Sequence, residues 1–321
     1  MEKEIKTFVL YHRKESSWCF DGLGAKYAAW RKFGDRATYI PVRYNEPVPQ
    51  IVLDIALNLD YAVHVFILDF SYPRKTLEDL SEWVDFLQVL DHHITAQKNL
   101  EGLAGAHFDM TKSGAVLAWE YFHPTEPVPQ LLLHIQDYDL WKFDLPNTEA
   151  VLSGFYHHAQ DMSEWDRLCG FANSQAGKDT LGQYVQSMDR VEKDKLIESN
   201  LKALCPIGEE ILSYRKSQVH EIIDSVVFIR YKGYKTTLLN SSVYESDLGH
   251  TLLTLYPDID FSLTFQVNAE GKVVLHFRGR KEDELDVSIL ARELGGGGHR
   301  KACGAKVDLK FLAWLYEKVI E

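Results

Sequence analysis

The chain has 321 residues, 45% hydrophobic and 26% charged, with a net charge of −12. These values predict a soluble globular protein of two domains. The acidic balance argues against long duplex nucleic acid as a partner, because such a footprint needs many Lys and Arg set against phosphates. It leaves room for a small anionic substrate held by a local pocket and a metal. No run approaches the roughly 18 uninterrupted apolar residues of a membrane span, so no membrane partner is expected. The start, Met1-Glu2-Lys3-Glu4-Ile5-Lys6, lacks the apolar core of a signal peptide. Cys19, Cys169, Cys205 and Cys303 are far apart and form no C-x-x-C pair. A reducing cytoplasmic location therefore fits, and a disulfide framework or structural zinc site is not expected.

In chain order, residues 6–11 read as a buried first strand, with His12 at its end. Trp18-Cys19-Phe20-Asp21-Gly22 follows, then a helical pattern from Leu23 to Phe33 closed by Gly34. Residues 37–43 read as a second strand. Residues 63–68 read as a third, nearly all apolar and so covered on both faces, and Asp69 ends it. A helix is expected over 76–85. A fourth strand, Phe86-Leu87-Gln88-Val89-Leu90, leads into Asp91-His92-His93. Alternating strands and helices mean βαβ units and a parallel sheet. His12, Asp69 and Asp91-His92-His93 would then stand at one edge, where ligands bind in such sheets, with Asp21 in the first strand-to-helix loop beside them. Residues 131–136 read as a helical turn ending in Asp137-Tyr138-Asp139, and either acid can close the site.

From about Ser163 to Leu204 the chain reads as a polar, solvated helical linker, punctuated by Cys205-Pro206-Ile207-Gly208. Strands are then expected over 226–231, 236–239, 261–267 and 273–277, with Asn268-Ala269-Glu270-Gly271 as a hairpin turn between the last two. A helix over 287–294 runs into Gly295-Gly296-Gly297-Gly298-His299, and a last helix over 309–320 completes a smaller α/β domain. The expected division is 1–150 for a parallel-sheet domain, 151–215 for the linker and 216–321 for the second domain.

Carboxylates and imidazoles with open positions suit Mn²⁺ or a similar divalent ion, one or two in number. A central acid such as Asp69 can bridge two metals, which together stabilise both oxygens of an in-line displacement at phosphorus. The four glycines offer backbone N–H groups as an anion cradle, with His299, Arg300 and Lys301 able to add charge-assisted bonds to phosphate. Arg278 and Arg280 end the strand before that helix and can be read as pointing the same way, one of them as a plain surface residue.

Leu90-Asp91-His92-His93 resembles the motif of the DHH phosphoesterases. Gly297-Gly298-His299-Arg300-Lys301-Ala302-Cys303-Gly304 resembles the GGH-x-x-A-x-G motif of the DHH-associated domain that usually follows. The order Arg278, Asp286-Val287-Ser288, glycines is similar to that family too, as are Phe108-Asp109 and Lys112-Ser113-Gly114-Ala115. The resemblance spans nearly the whole chain. It implies a two-domain metal-dependent hydrolase that cleaves short oligonucleotides or small nucleotide phosphate esters in an interdomain cleft. Carried over by motif, His12, Asp21, Asp69, His92 and Asp137 are metal ligands for Mn²⁺, with Mg²⁺ or Co²⁺ as alternatives. Asp91 orients His92, and His93 sits near substrate. Arg278, Gly297, Gly298 and His299 hold the far end of the substrate.

Two other functions stay open: hydrolysis of phosphoanhydrides such as polyphosphate, and a nucleotide sensor without turnover. A homodimer is an open partner. One departure bears on the metals. The family usually shows a His and then two acids one residue apart, whereas Cys19 stands in the first acid's place here. Cys19 is either a ligand of a different kind or a packed residue that touches no metal.

Overall fold

The computed structural model describes residues 3–14, 17–171 and 187–320. They fall into two compact units, Met1–Leu212 and Ser213–Glu321. In the first, β1 (Glu4–His12), β2 (Ala37–Val42), β3 (Tyr61–Leu68), β4 (Phe86–Asp91) and β5 (Ala106–Phe108) form one sheet in the order β2-β1-β3-β4-β5. All four pairings are parallel. The chain steps from β1 outward to β2 and then back past β1 to β3, so the winding reverses between β1 and β3. In this strand order, ligands bind outside the carboxyl ends of the strands at that reversal.

Successive strand residues face opposite sides of the sheet, and both sides here are covered. Val9 and Tyr11 of β1, with Phe66 and Leu68 of β3, join one core. Phe8 and Leu10, with Val65 and Ile67, join another. Against the first pack α1 (Phe20–Phe33), α5 (Gly114–Phe122), α6 (Gln130–Asp139), α7 (Thr148–Phe155) and α8 (Met162–Leu168), which supply Tyr27, Trp119, Leu132, Phe155 and Trp165. Against the second pack α2 (Gln50–Ala56) and α3 (Arg74–Trp83), through Val52, Leu77 and Leu80. A short α4 (Ile94–Asn99) follows β4. Buried Asp166 ties α8 to α1, accepting from the Tyr27 hydroxyl at 2.9 Å and Arg31 at 3.2 Å.

The helix expected over 76–85 sits at 74–83, and the first helix starts three residues early, at Phe20. Helix α5, Gly-Ala-Val-Leu-Ala-Trp-Glu-Tyr-Phe, is apolar nearly all round and shows no amphipathic period to read. Helices stand in the stretch read as a solvated linker, α8 and α9 (Arg190–Lys202), but they belong to the first unit and give Trp165, Leu168, Ile197 and Leu201 to its core; Asp189 and Glu192 form a capping box before α9. Residues 172–186 of that stretch lie outside the described residues. Cys205-Pro206 does not close a helix but opens α10 (Cys205–Ile223), since proline is tolerated in a first turn where no N–H is needed. No helix among the described residues is long and apolar enough to cross a membrane.

The second unit holds β6 (Val227–Tyr231), β7 (Tyr234–Asn240), β8 (Phe261–Val267), β9 (Val273–Gly279), β10 (Gly297–His299) and β11 (Ala302–Val307), in the order β10-β11-β9-β8-β7-β6. Only β7 and β8 run parallel, and α11 (Glu245–Leu255) makes that crossover. The hairpin at 268–271 is built by Asn268, whose side chain accepts from Glu270 N and Lys272 N, and by Gly271 at φ +73°. Helices α12 (Val287–Glu293) and α13 (Leu309–Tyr316) complete the unit. The fold is α/β throughout, as the alternation of patterns predicts.

Candidate metal centre

The carboxyl edge of the parallel sheet gathers acids and imidazoles that are nearly all buried. His12 is the last residue of β1, Asp69 follows β3, and Asp91 ends β4. His12, Asp21, Asp69, Asp91 and His92 are each 7% exposed or less. Isolated charges at that depth would be expensive, so they must be paired or hold an ion.

Asp69 is at the middle. Its Oδ2 lies 3.5 Å from His12 Nδ1 and 3.6 Å from Cys19 Sγ. Its Oδ1 lies 3.2 Å from His92 Nε2. His92 Nε2 is in turn 3.3 Å from Asp21 Oδ2 and 3.7 Å from Asp139 Oδ2. Within the first unit two sets of ligand-type atoms result, His12–Cys19–Asp69 and Asp21–His92–Asp139, the members of each within 4.8 Å of one another. The two oxygens of Asp69 face different sets.

The backbone is shaped around this acid. Asp69 takes φ +64°, a left-handed conformation, while its N–H donates to Leu90 O at 2.9 Å. Such strain persists where the surroundings over-determine it. Gly114 leaves the room: a Cβ there would lie 2.6 Å from Asp69 Cβ. The start of α5 also fixes Asp21, whose carboxylate accepts from Gly114 N at 2.6 Å and Ala115 N at 2.8 Å. An acid at a helix N-terminus is held by orphan N–H groups and the helix dipole. Gly22 lets α1 approach β1, since a Cβ there would be 2.1 Å from His12 O.

Charge crowding sets the protonation. Burial, helped by Asp69 and Asp139, pushes the Asp21 carboxyl up to about 7. Burial also works against ionised Asp69, but the hydrogen bonds with His12 and His92 outweigh it and hold Asp69 well below the carboxylate range. Burial opposes charge on His92 too, yet Asp21 and Asp69 hold its ring well above the usual value. Burial and the neighbouring Asp69 raise the Cys19 thiol well above its ordinary value. A divalent cation would relieve this crowding. Imidazoles, carboxylates and one thiol are donors it accepts. Asp139 Oδ2, buried and without a hydrogen bond among the described residues, is a further donor of that kind. The residues present therefore fit such an ion.

Two expectations differ from the geometry. Asp137 is turned away from the cluster. It accepts from Asp144 N at 2.8 Å, Leu145 N at 3.2 Å and Thr148 Oγ1 at 2.6 Å, holding the loop between α6 and α7. Two residues along a helix lie about 200° apart on its circumference, so when Asp137 faces that loop, Asp139 faces His92. Asp91 orients His93 rather than the ring of His92. Its Oδ1 lies 2.6 Å from His93 Nδ1 and accepts from His92 only through the backbone N–H, while its Oδ2 accepts from Ser71 Oγ at 2.6 Å.

Tyr44, in the segment after β2, was not singled out by its sequence. Its hydroxyl lies 3.0 Å from His93 Nε2 and its ring packs 4.5 Å, centroid to centroid, from that of His12. A lone tyrosine in a loop gives no periodic signal, and only tertiary structure brings it here.

In the second unit the expected substrate residues sit on two strands, β9 and β10, with β11 between them. Arg278, in β9, donates to Ser246 Oγ at 2.7 Å and passes over Gly249, where a Cβ would meet its Cγ at 2.6 Å. Gly297, Gly298 and His299 are not an open loop. They form β10, the edge strand, paired with Gly304, Cys303 and Ala302. Gly298 takes φ +132°, and a Cβ on Gly296 would lie 2.0 Å from Gly304 O, so these glycines permit close backbone approach. Arg300 donates to Glu284 O and Lys301 to Asp283 O and Leu285 O, binding the segment before α12. Arg280 donates to Leu253 O, Tyr256 O and Ile259 O, closing the end of α11. It is a structural clamp.

No family model matches the chain. The chain is 29% identical over 316 residues to an uncharacterized protein of Acanthamoeba polyphaga mimivirus, covering 94% of this chain and 68% of that one. It is 24% identical over 309 residues to Oligoribonuclease NrnB of Bacillus subtilis, covering 89% and 70% respectively. Among solved structures it superposes on the DHH domain of a protein assigned to a ribosomal-protein family, with a TM-score of 0.51 at 13% identity, covering 97% of this chain and 85% of that one.

Proposed function

We propose that this chain, a member of the DHH family of phosphoesterases, is a divalent-metal-dependent hydrolase of short oligonucleotides or small nucleotide phosphate esters. The observation that carries the reading is the division of Asp69, one oxygen toward His12 and Cys19 and the other toward His92. A carboxylate so placed can serve two ions at once. His12, Cys19 and Asp69 would hold one, and Asp21, Asp69, His92 and Asp139 the other, with Mn²⁺ the expected ion at the second set. A bound ion would supply charge to the phosphoryl oxygens and lower the pKa of a water.

The residues beside the cluster support acid catalysis. Burial works against charge on His93, but Asp91 at Nδ1 outweighs it and holds the ring above its ordinary value. A protonated His93 is suited to donate from Nε2 to a leaving oxygen. Ser71 on the far oxygen of Asp91 fixes that carboxylate, and the Tyr44 hydroxyl, 3.0 Å from Nε2, marks the place the leaving oxygen would take. Arg278, Gly297, Gly298 and His299 are the residues of the second unit proposed to bind phosphate-bearing substrate. Short substrates are favoured because a chain of net charge −12 cannot neutralise many phosphates. The relative named an oligoribonuclease supports the same class.

The test is turnover of a two- to five-residue RNA by protein stripped with chelator and supplied with Mn²⁺, beside a long single strand in matched salt. The expected result is no turnover after stripping, recovery with Mn²⁺, and faster cleavage of the short RNA. Unchanged turnover in chelator, or cleavage confined to long strands with a steep salt dependence, would contradict the proposal.

A further inference from the structure

We infer that the His12–Cys19–Asp69 set is a thiolate metal position that selects a softer ion than its neighbour, so that the centre is built to hold two different metals. The inference rests on the metal-dependent reading above. Cys19 does not lie off the cluster: its Sγ is 3.6 Å from Asp69 Oδ2, the same oxygen that His12 Nδ1 faces at 3.5 Å. All three residues are buried, at 7%, 7% and 1% exposure for His12, Cys19 and Asp69.

The position of Cys19 is set by its surroundings. It stands at the N-cap of α1 with φ −91° and ψ 121°, and its carbonyl accepts from Leu23 N at 3.0 Å. Gly22, on the following turn, seats that helix against the carbonyl of His12. The thiol is thus carried on the same rigid junction that carries Asp21. One turn opening delivers sulfur to the first set and carboxylate to the second.

The two donor sets differ in kind. One offers imidazole, sulfur and carboxylate. The other offers imidazole and carboxylates alone. Sulfur donors select Zn²⁺ and similar borderline ions, and all-oxygen and imidazole donors accept Mn²⁺. When an ion binds the first set, the S–H bond breaks, its proton leaves to solvent and the sulfur lone pair forms the S–metal bond. No oxidant or reductant is involved. The shared carboxylate, Asp69, then links a Zn²⁺-type position to a Mn²⁺-type one.

Co²⁺ reports the difference directly, because a Co²⁺–thiolate bond gives a near-ultraviolet charge-transfer band that oxygen and nitrogen ligands do not. The stripped full-length protein is titrated with Co²⁺, followed optically, and then challenged with Zn²⁺ and with Mn²⁺. The wild type should develop the band, lose it to Zn²⁺ and keep it against an equal concentration of Mn²⁺. Cys19→Ser, close in size, should bind Co²⁺ without the band. Cys19→Asp should lack the band and raise the Mn²⁺ content measured by metal analysis. Circular dichroism of each stripped variant verifies the fold. No band in the wild type, or a band that survives in Cys19→Ser, overturns the inference. Turnover of short RNA is read in the same samples: a band without turnover would sink the hydrolase reading and leave the thiolate position standing, and turnover without a band would do the reverse.

Discussion

At the carboxyl edge of the parallel sheet, four titratable groups (Asp21, Asp69, Asp91 and His92) are buried to 2% exposure or less, with Asp21 and Asp69 both set against the His92 ring. In the second unit, the cations near the glycine hairpin end on backbone carbonyls: Arg280 on three of them, Arg300 on one and Lys301 on two. Both arrangements satisfy hydrogen-bonding groups, but only the first buries several carboxylates together. A protein optimised for stability would not place Asp21, Asp69 and Asp139 against one another, since burial and mutual repulsion raise two of them. That cost makes sense where a cation is to be bound. In the second unit the charged groups, arginine and lysine, brace loops.

The largest effect should come from removing the acid the two sets share. Asp69→Ala should abolish metal-dependent turnover, a fall of several orders of magnitude. Turnover near that of the wild type would remove the distinction between a functional edge and an ordinary one. Next comes His93→Ala, expected to lower kcat by roughly 10²–10⁴-fold, the range of a positioned proton donor, with metal content unchanged. A matching loss of bound metal would make His93 a ligand instead.

Gly114→Val tests the strained side of the comparison. The added Cβ would crowd Asp69 at 2.6 Å, so stability should fall by roughly 1–3 kcal/mol as overpacking does. Metal affinity should weaken with it, as ion titration would register. Arg280→Ala is its counterpart in the second unit. Stripping three carbonyls of their donor should also cost roughly 1–3 kcal/mol in denaturant unfolding, yet leave metal content unaltered. A change in metal binding there would erase the contrast. The smallest effect belongs to Tyr44→Phe, which removes one hydroxyl beside His93. About a tenfold loss in kcat is expected, in the range for a group that orients another, with KM and metal content little moved.

How much of this is legible in the sequence varies by residue. His12, Asp69 and Asp91 follow apolar runs, and the rule that such runs end at one sheet edge places them together from sequence alone. Asp21 comes with them because it opens the first helix. The choice between Asp137 and Asp139 is not readable, since both end one helix and only its packing says which face is inward. Cys19 lies seven residues past His12 across a loop, a distance that permits either contact or separation. Tyr44 carries no pattern at all. In the second unit the glycine run signals a close backbone approach. That the approach is to β11, at Gly304 O and Ala302 O, depends on strand pairing that no local feature encodes.

The central claim is that one carboxylate serves two ion positions, and equilibrium dialysis tests it most directly. Wild-type and Asp69→Ala proteins, stripped and folded, are dialysed side by side against Co²⁺, an ion both donor sets accept, and the bound ions per chain are counted. The wild type should bind two equivalents. Asp69→Ala should lose affinity at both positions together. Two equivalents held with unchanged affinity in Asp69→Ala, or a loss confined to one position, would contradict the account.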